Sequence, residues 1–364
     1  MDVERFRQQL LDWFSVNQRK LPWRQHPSLY EVWLSEVMLQ QTQVQTVLRY
    51  YSRFLNRFPS LESVAEATEE DVLKIWEGLG YYSRVRNFHR AARMVVEKFH
   101  GQIPAQYDQF RALPGVGDYI ASAVLSIGLN QPLAVVDGNV KRVIARLFLF
   151  TSPIKERETL RQIRAKAELL LDRREPGNFN QAMMELGATV CVPRRPDCQH
   201  CPVANFCRAR REEMASRIPV RSPRKSIPEY EIAVGVVVKK GKLLITRRKS
   251  QGLLGGLWEF PGGKIRSGES PEKACVREIQ EEVNLRVRPF HLLTTVKHTY
   301  SHFKIRLTVY VCIYQNGRVR LNGPVDFRWV SPGTLGRFAF PGANHKFIPL
   351  LKHWLKENKH ILHQ

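Results

Sequence analysis

The hydrophobic period of the chain changes once, near Tyr230, and that change limits what the chain can build. From Val3 to Phe150 apolar residues recur at helical spacing. Tyr30, Trp33, Leu34, Val37 and Met38 mark one helix face, and Val72, Leu73, Ile75 and Trp76 open another. Pro59, Gly78, Gly80, Gly101 and Pro104 cut the stretch into short helices. A long charged helix is expected over residues 155–173. Pro219, Pro223 and Pro228 then stand among basic residues in SRIPVRSPRKSIPE, which reads as a semi-extended linker. Beyond it, IAVGVVVKKGKLLITRR reads as two β-branched strands around a Lys-Gly turn, and SPEKACVREIQEEV as a helix. The expected fold class is multidomain: an all-α N-terminal part followed by an α+β C-terminal part, with no internal repeat.

A chain of 364 residues suits about two domains. Its 57 Lys and Arg against 34 Asp and Glu give a net charge of +23, which favours a polyanionic partner. The N-terminal MDVERFRQQL has no apolar signal core, no run approaches a membrane span, and no lone basic amphipathic helix or lipidation signal is present. The sequence therefore reads as intracellular, with no membrane partner, and its six cysteines do not read as a disulfide framework.

Three constellations carry chemistry. LPGVG at 113–117 joins two helices through glycines, where φ > 0 or close backbone approach is wanted, and the N–H groups opening the second helix can face a phosphate. A bland glycine turn is the alternative. Cys191, Cys198, Cys201 and Cys207 are spaced C-x6-C-x2-C-x5-C, and four thiols so close argue for a metal site. Spacing alone does not choose between zinc and an iron–sulfur cluster. Arg194, Arg195, Arg208, Arg210 and Arg211 flank this loop, as a DNA-facing or merely solvated basic surface. Finally, Glu36 sits among Trp33, Leu34, Val37 and Met38. If it points inward, burial raises its pKa and keeps it protonated. Asp137 precedes a helix starting near Asn139, whose dipole favours the ionised form. Such a pair suits acid-plus-stabiliser chemistry at a glycosidic carbon. A surface acid and a helix cap are the plain alternatives.

LPWR at 21–24, SEVMLQQTQV at 35–44, GLGYYSRVRN at 78–87, LPGVGDYIASAV, VVDGNVKR, NQAMMELGA at 180–188 and the cysteine spacing resemble, in the same order, the adenine DNA glycosylases of the MutY family. The resemblance covers almost all of residues 1–215. It implies a helix-hairpin-helix glycosylase domain over 1–215, with a six-helix module at about 22–130 and an iron–sulfur module from about 1–21 plus 131–215. A linker over 216–229 and a Nudix-like domain over 230–360 complete the expected organisation. The implied substrate is double-stranded DNA with adenine opposite 8-oxoguanine or guanine, met by a monomer in a bacterial-type, nucleoid-associated cytoplasmic setting. Position by position, Glu36 matches the acid that protonates the adenine. Asp137 matches the carboxylate that stabilises the sugar cation, and Asn139 its hydrogen-bonding neighbour. Arg24 and Gln181 match adenine-pocket positions, and Gln41, Thr42 and Tyr81 match residues that probe or wedge beside the lesion. Gly115, Val116 and Gly117 match the hairpin that grips the DNA backbone. Cys191, Cys198, Cys201 and Cys207 match ligands of one 4Fe-4S cluster. The related endonuclease III-type enzymes carry a lysine where Tyr119 stands. A phenol cannot form a Schiff base, so the resemblance implies base release without strand cutting.

Residues 263–285 resemble the Nudix box, with Glu278, Glu281 and Glu282 on one helix face as possible Mg2+ holders. Asn284 replaces the closing glycine, a mild departure at a left-handed helix end. In the adenine glycosylases this domain reads 8-oxoguanine and the box is usually eroded, whereas here it is nearly whole. HTYSHFKIRLTVY resembles that family's Phe-Ser-His loop, with Tyr300 for the phenylalanine, which gives Ser301 and His302 the contacts to oxidised guanine. Two rival readings are a fusion with a working Nudix pyrophosphohydrolase and a non-catalytic binder of damaged DNA.

Overall fold

The structure is a computed structural model that describes residues 1–25, 27–220, 226–359 and 361. Residues 221–225 of the expected linker, Pro223 among them, lie outside the described residues, as does His360 at the end of the expected C-terminal domain. The chain forms two compact units, Met1–Glu66 with Arg90–Arg224, and Ala67–His89 with Lys225–Gln364.

The first unit is helical. Its elements run α1 (Val3–Asn17), α2 (Leu29–Leu39), α3 (Val44–Arg57) and α4 (Leu61–Glu66). After α5 (Glu69–Trp76), which belongs to the second unit, come α6 (Ser83–Phe99), α7 (Tyr107–Arg111), α8 (Asp118–Leu129), α9 (Gly138–Leu147), α10 (Arg157–Leu170), α11 (Pro176–Thr189) and α12 (Arg208–Arg211). The amphipathic spacing of α1 buries Phe6, Leu10 and Phe14 against Val140, Val143, Ile144 and Leu147 of α9, Ile163 and Leu170 of α10, and Phe179, Met183 and Leu186 of α11. The N-terminal helix thus packs onto segments well over a hundred residues downstream. α2 buries nearly its whole circumference and packs on α8, so its lone acid, Glu36, is carried inside with it.

Two small residues on α11 set the distances. Gly187 meets the start of α9 so closely that an added Cβ would lie 2.6 Å from the Asn139 Cβ. One turn and a half earlier, the Asn180 amide nitrogen donates to Leu133 O (2.8 Å) and Ser126 Oγ (3.0 Å), and its oxygen accepts from Val135 N (3.0 Å). Asn180 is buried, and it pins the extended run that leads into Asp137.

The second unit is built on a mixed sheet in the order β3-β2-β1-β6-β5, from β1 (Glu229–Lys239), β2 (Lys242–Arg247), β3 (Trp258–Glu259), β5 (Leu285–Thr299) and β6 (Lys304–Gly317). β4 (Gly262–Lys264) pairs with β1, and β7 (Asp326–Val330) with β2. β1 runs parallel to β6 and antiparallel to β2. The expected Lys-Gly turn is there, with Lys240 at φ 44° and Gly241 at φ 75°, the doubly left-handed pair that a tight hairpin needs. β1 reads as a continuous apolar run because both its faces are covered. Val234, Val236 and Val238 face a core that includes α14 (Ile348–Glu357), while Ala233 and Val237 face α13 (Pro271–Val283). α13 starts on the Ser270 cap and stops at Asn284 with φ 56°, as its sequence implied. α5 joins this unit through its acids: Glu69 pairs with Arg247 (3.1 Å), Glu70 with Arg328 (3.3 Å) and Glu77 with His345 (3.0 Å).

Asn180→Ala removes three buried hydrogen bonds and strands the Val135 N–H. We expect a loss of about 2 kcal/mol in urea unfolding, the usual cost of an unsatisfied buried polar group, with the helical circular dichroism retained.

Candidate active site

In the first unit a cavity of about 160 Å3 gathers Arg24, Glu36, Thr42, Tyr119, Asp137, Asn139 and Gln181, seven of the positions singled out in the sequence. They come from the 310 turn Pro22–Arg24, α2, the loop after it, α8, the cap of α9, and α11. Glu36 is 4 % exposed, so it is no surface acid. Burial is the main force pushing its pKa up to about 7, with help from Asp137 and against the Tyr119 hydrogen bond and Arg24. The Tyr119 hydroxyl donates to Glu36 Oε2 at 2.5 Å, and burial beside two carboxylates raises the phenol itself well above its ordinary range.

Asp137 caps α9: its Oδ1 accepts from Val140 N at 2.6 Å and its Oδ2 from Asn139 Nδ2 at 3.0 Å. The sequence pointed to a helix dipole that favours the ionised form. The structure adds a larger opposing effect, since burial raises the Asp137 pKa against the pull of these bonds and of Arg142. Both carboxylates are therefore proton-hungry, rather than being driven in opposite directions.

Sequence reasoning missed the residues that hold this set in place. Glu185 is fully buried and takes two guanidiniums, Arg19 at 2.6 Å and Arg24 at 2.9 Å. These partners hold its carboxyl below the usual range although burial opposes them. Arg24 also donates to Gln181 Oε1 at 3.1 Å. On α9, Arg142 donates to Asn139 Oδ1 (2.8 Å), Gly187 O (2.6 Å) and Cys191 O (2.8 Å). Arg146, one turn on and buried, donates to Cys191 Sγ (3.1 Å), Val192 O (2.8 Å) and Ile218 O (2.8 Å). The available signal was the i, i+4 arginine pair in VKRVIAR, on a helix face otherwise apolar.

The four cysteines are half-buried and unbridged. Burial pushes the Cys198, Cys201 and Cys207 thiols up, Cys201 to about 12, and the neighbouring sulfurs add to it. Four soft donors that resist ionising alone fit a group that supplies the compensating positive charge. Among the described residues no three His, Cys, Asp or Glu stand where a single metal ion would sit. An iron–sulfur cluster asks for wider spacing, because irons and sulfides stand between its thiolates. Arg194, Arg195, Arg208, Arg210 and Arg211 are all exposed around this loop.

The remaining positions lie elsewhere. Gly115 takes φ 78°, as a glycine turn requires, and Val116 is buried beneath it. Gly117 keeps an ordinary φ of −97° as the N-cap of α8, and nothing lies within 4 Å of a Cβ placed on it. Gln41, outside the cavity, has φ 56° just past α2. In the second unit Tyr81 has φ 48° and its ring stands edge-on to His302, 6.3 Å between centroids. Ser301 and His302 are exposed at the β5–β6 tip. Of the Nudix-box glutamates, Glu278 (2.6 Å) and Glu281 (3.0 Å) are engaged by Arg277, and Glu282 accepts from Gly262 N at 3.0 Å.

Comparison with known proteins agrees with this layout. Residues 34–168 match the HhH-GPD superfamily of base excision DNA repair proteins, 191–207 the iron–sulfur binding domain of endonuclease III, and 233–350 the NUDIX domain. The chain is similar to the adenine DNA glycosylase of Rattus norvegicus, at 38 % identity over 85 % of this chain and 70 % of that protein. It is also similar to those of Schizosaccharomyces pombe (32 %; 92 % and 87 %) and Buchnera aphidicola from Schizaphis graminum (31 %; 84 % and 87 %). Among solved structures, a thermostable thymine-DNA glycosylase matches at 26 % identity and a TM-score of 0.53, over 58 % of this chain and 97 % of that one. An endonuclease III–DNA covalent intermediate, at 21 % and 0.50 over 59 % and 99 %, shares the fold.

Burial of Glu36 has a thermodynamic consequence. Its folded pKa of about 7 lies above the ~4.3 of an unfolded glutamate, so folding carries no penalty below pH ~4.3 and the full penalty above pH 7. Glu36→Gln should therefore be more stable than the wild type at pH 8, by up to about 3 kcal/mol. The gain should shrink toward zero as pH falls to 4.5, read by denaturant unfolding across that range.

Proposed function

The chain belongs to the adenine DNA glycosylase family, and we propose that it releases adenine from duplex DNA by hydrolysing the N-glycosidic bond in the cavity around Glu36. The observation that carries this is the placing of a buried acid, a buried carboxylate and a hydrogen-bonding arginine–glutamine pair in one small cavity. A nucleotide flipped out of the duplex costs a few kcal/mol of unstacking, which pocket contacts offset. Arg24 and Gln181 orient the base. Glu36, poised near neutrality, gives its proton to the adenine as the glycosidic bond breaks and the bonding electrons leave with the base. Asp137, steadied by Asn139 and Val140, faces the cationic sugar until water adds to it. Tyr119 holds the Glu36 carboxyl by hydrogen bond. No lysine lines the cavity among the described residues, so nothing there can form a Schiff base, and the enzyme stops at the abasic site.

On the same reading the Leu113–Gly117 turn holds the DNA backbone, its free N–H groups facing a phosphate. The bare surface around Gly117 gives that phosphate room. Gln41, Thr42 and Tyr81 probe or wedge at the mispair. Ser301 and His302, exposed at a hairpin tip, read 8-oxoguanine opposite the adenine. The four cysteines would hold one 4Fe-4S cluster, which supplies the positive charge that fixes the loop and its arginines. The same reading has the protein act as a monomer in the cytoplasm. No helix among the described residues is long and apolar enough to cross a membrane.

Two outcomes test this. With duplexes carrying A opposite 8-oxoguanine, the wild type should yield abasic sites that break only with alkali and should resist borohydride trapping. Glu36→Gln and Asp137→Asn should each slow single-turnover release at least ~100-fold while still binding DNA. A near-normal rate in either variant removes that residue from the mechanism.

The reading of the lesion is tested separately. Ser301→Ala with His302→Ala should cut the preference for A opposite 8-oxoguanine over A opposite G by ~1–3 kcal/mol per lost contact. Cleavage of A opposite G should change little. A double variant that discriminates as well as the wild type rejects the role.

A further inference from the structure

The second unit holds a cavity of about 610 Å3 that the glycosylase reading does not use. We propose that it binds the base of a purine nucleoside. Its volume falls in the ~300–1,000 Å3 of small-molecule pockets. One wall is aromatic: the Tyr300 and Phe303 rings lie nearly parallel, 21° apart with centroids at 4.7 Å, with Tyr230 beside them and Phe260 also lining the space. Flat apolar walls of this kind accept the face of a heterocycle.

The polar groups are few. Asn344 lines the cavity and is 7 % exposed, and its side-chain amide has no hydrogen-bond partner among the described residues. A buried amide left unpaired is costly unless a ligand completes it. Its donor and acceptor lie side by side in one plane, the arrangement that pairs with the edge of a base. The other polar liners are already engaged. Glu259 takes Arg248 at 2.6 Å, and Glu282 takes the Gly262 N–H. Lys264 stands over the Tyr230 ring. The two carboxylates disfavour a phosphate and leave no spare cation for one, so the neutral nucleoside, not the nucleotide, is the fitting ligand. The width of the aromatic floor favours a bicyclic base over a single ring. No bond is made or broken, and no divalent metal is required. The proposal stands independently of lesion reading by Ser301 and His302.

The test is equilibrium dialysis of the full chain against guanosine, in chelator. One saturable site is expected, with cytidine bound about tenfold more weakly. Asn344→Asp keeps the shape but loses the donor, and Asn344→Ala removes the pair. Both should weaken guanosine about tenfold while the melting temperature and adenine release stay at wild-type values. No binding at millimolar guanosine, equal binding of cytidine, or unchanged affinity in both variants overturns the proposal. Tighter binding of guanosine diphosphate with Mg2+ than of guanosine overturns it as well.

Discussion

The site hangs on one buried guanidinium. Arg142 bonds at once to the Asn139 side chain, to the backbone of α11 at Gly187, and to the backbone of the cysteine loop at Cys191. A buried arginine is tolerated only when its donors are matched, so the three segments cannot shift independently without leaving charge unsatisfied. Asn139 in turn holds Asp137. Gly187 permits the approach, since any side chain there would collide with Asn139. Arg146 repeats the tie one turn on, reaching the Cys191 sulfur itself. The cysteine loop is thereby mechanically continuous with the carboxylate at the reacting sugar.

A second constraint is the electrostatics of exclusion. Glu36 is held by the burial of α2 as a whole, not by a counter-ion, and Tyr119 is its one close polar neighbour on α8. Arg24 and Arg19 bring two positive charges to the same cavity, but Glu185 takes both. Without that carboxylate the guanidiniums would draw the proton off Glu36. The cavity keeps an acid protonated beside arginines by giving the arginines another anion.

Much of this was legible in the sequence, because short-range chemistry leaves local marks. The period change at Tyr230, the Lys240-Gly241 turn, the Asn284 helix stop and the Asp137 cap each rest on a few adjacent residues. The inward turn of Glu36 followed from the apolar residues around it. What stayed hidden depends on contacts between distant segments. Nothing local says that Glu185 faces Arg19 and Arg24, 166 and 161 residues away. Nor does anything local say that burial outweighs the helix dipole at Asp137. The glutamates of 278–282 read as a free acidic face, yet Arg277, inside the same motif, occupies two of them.

Gly117 shows what a fold leaves undemanded. Its backbone angle suits any residue, and open space surrounds the place where a side chain would go. Folding itself asks nothing of this position. Selection for a stable, soluble, well-packed chain would accept alanine or serine there without complaint, while Gly187 would be defended in every such experiment. A stability map of this protein would therefore mark Gly187 as essential and Gly117 as free. Whatever keeps a glycine at 117 must come from a surface that approaches from outside.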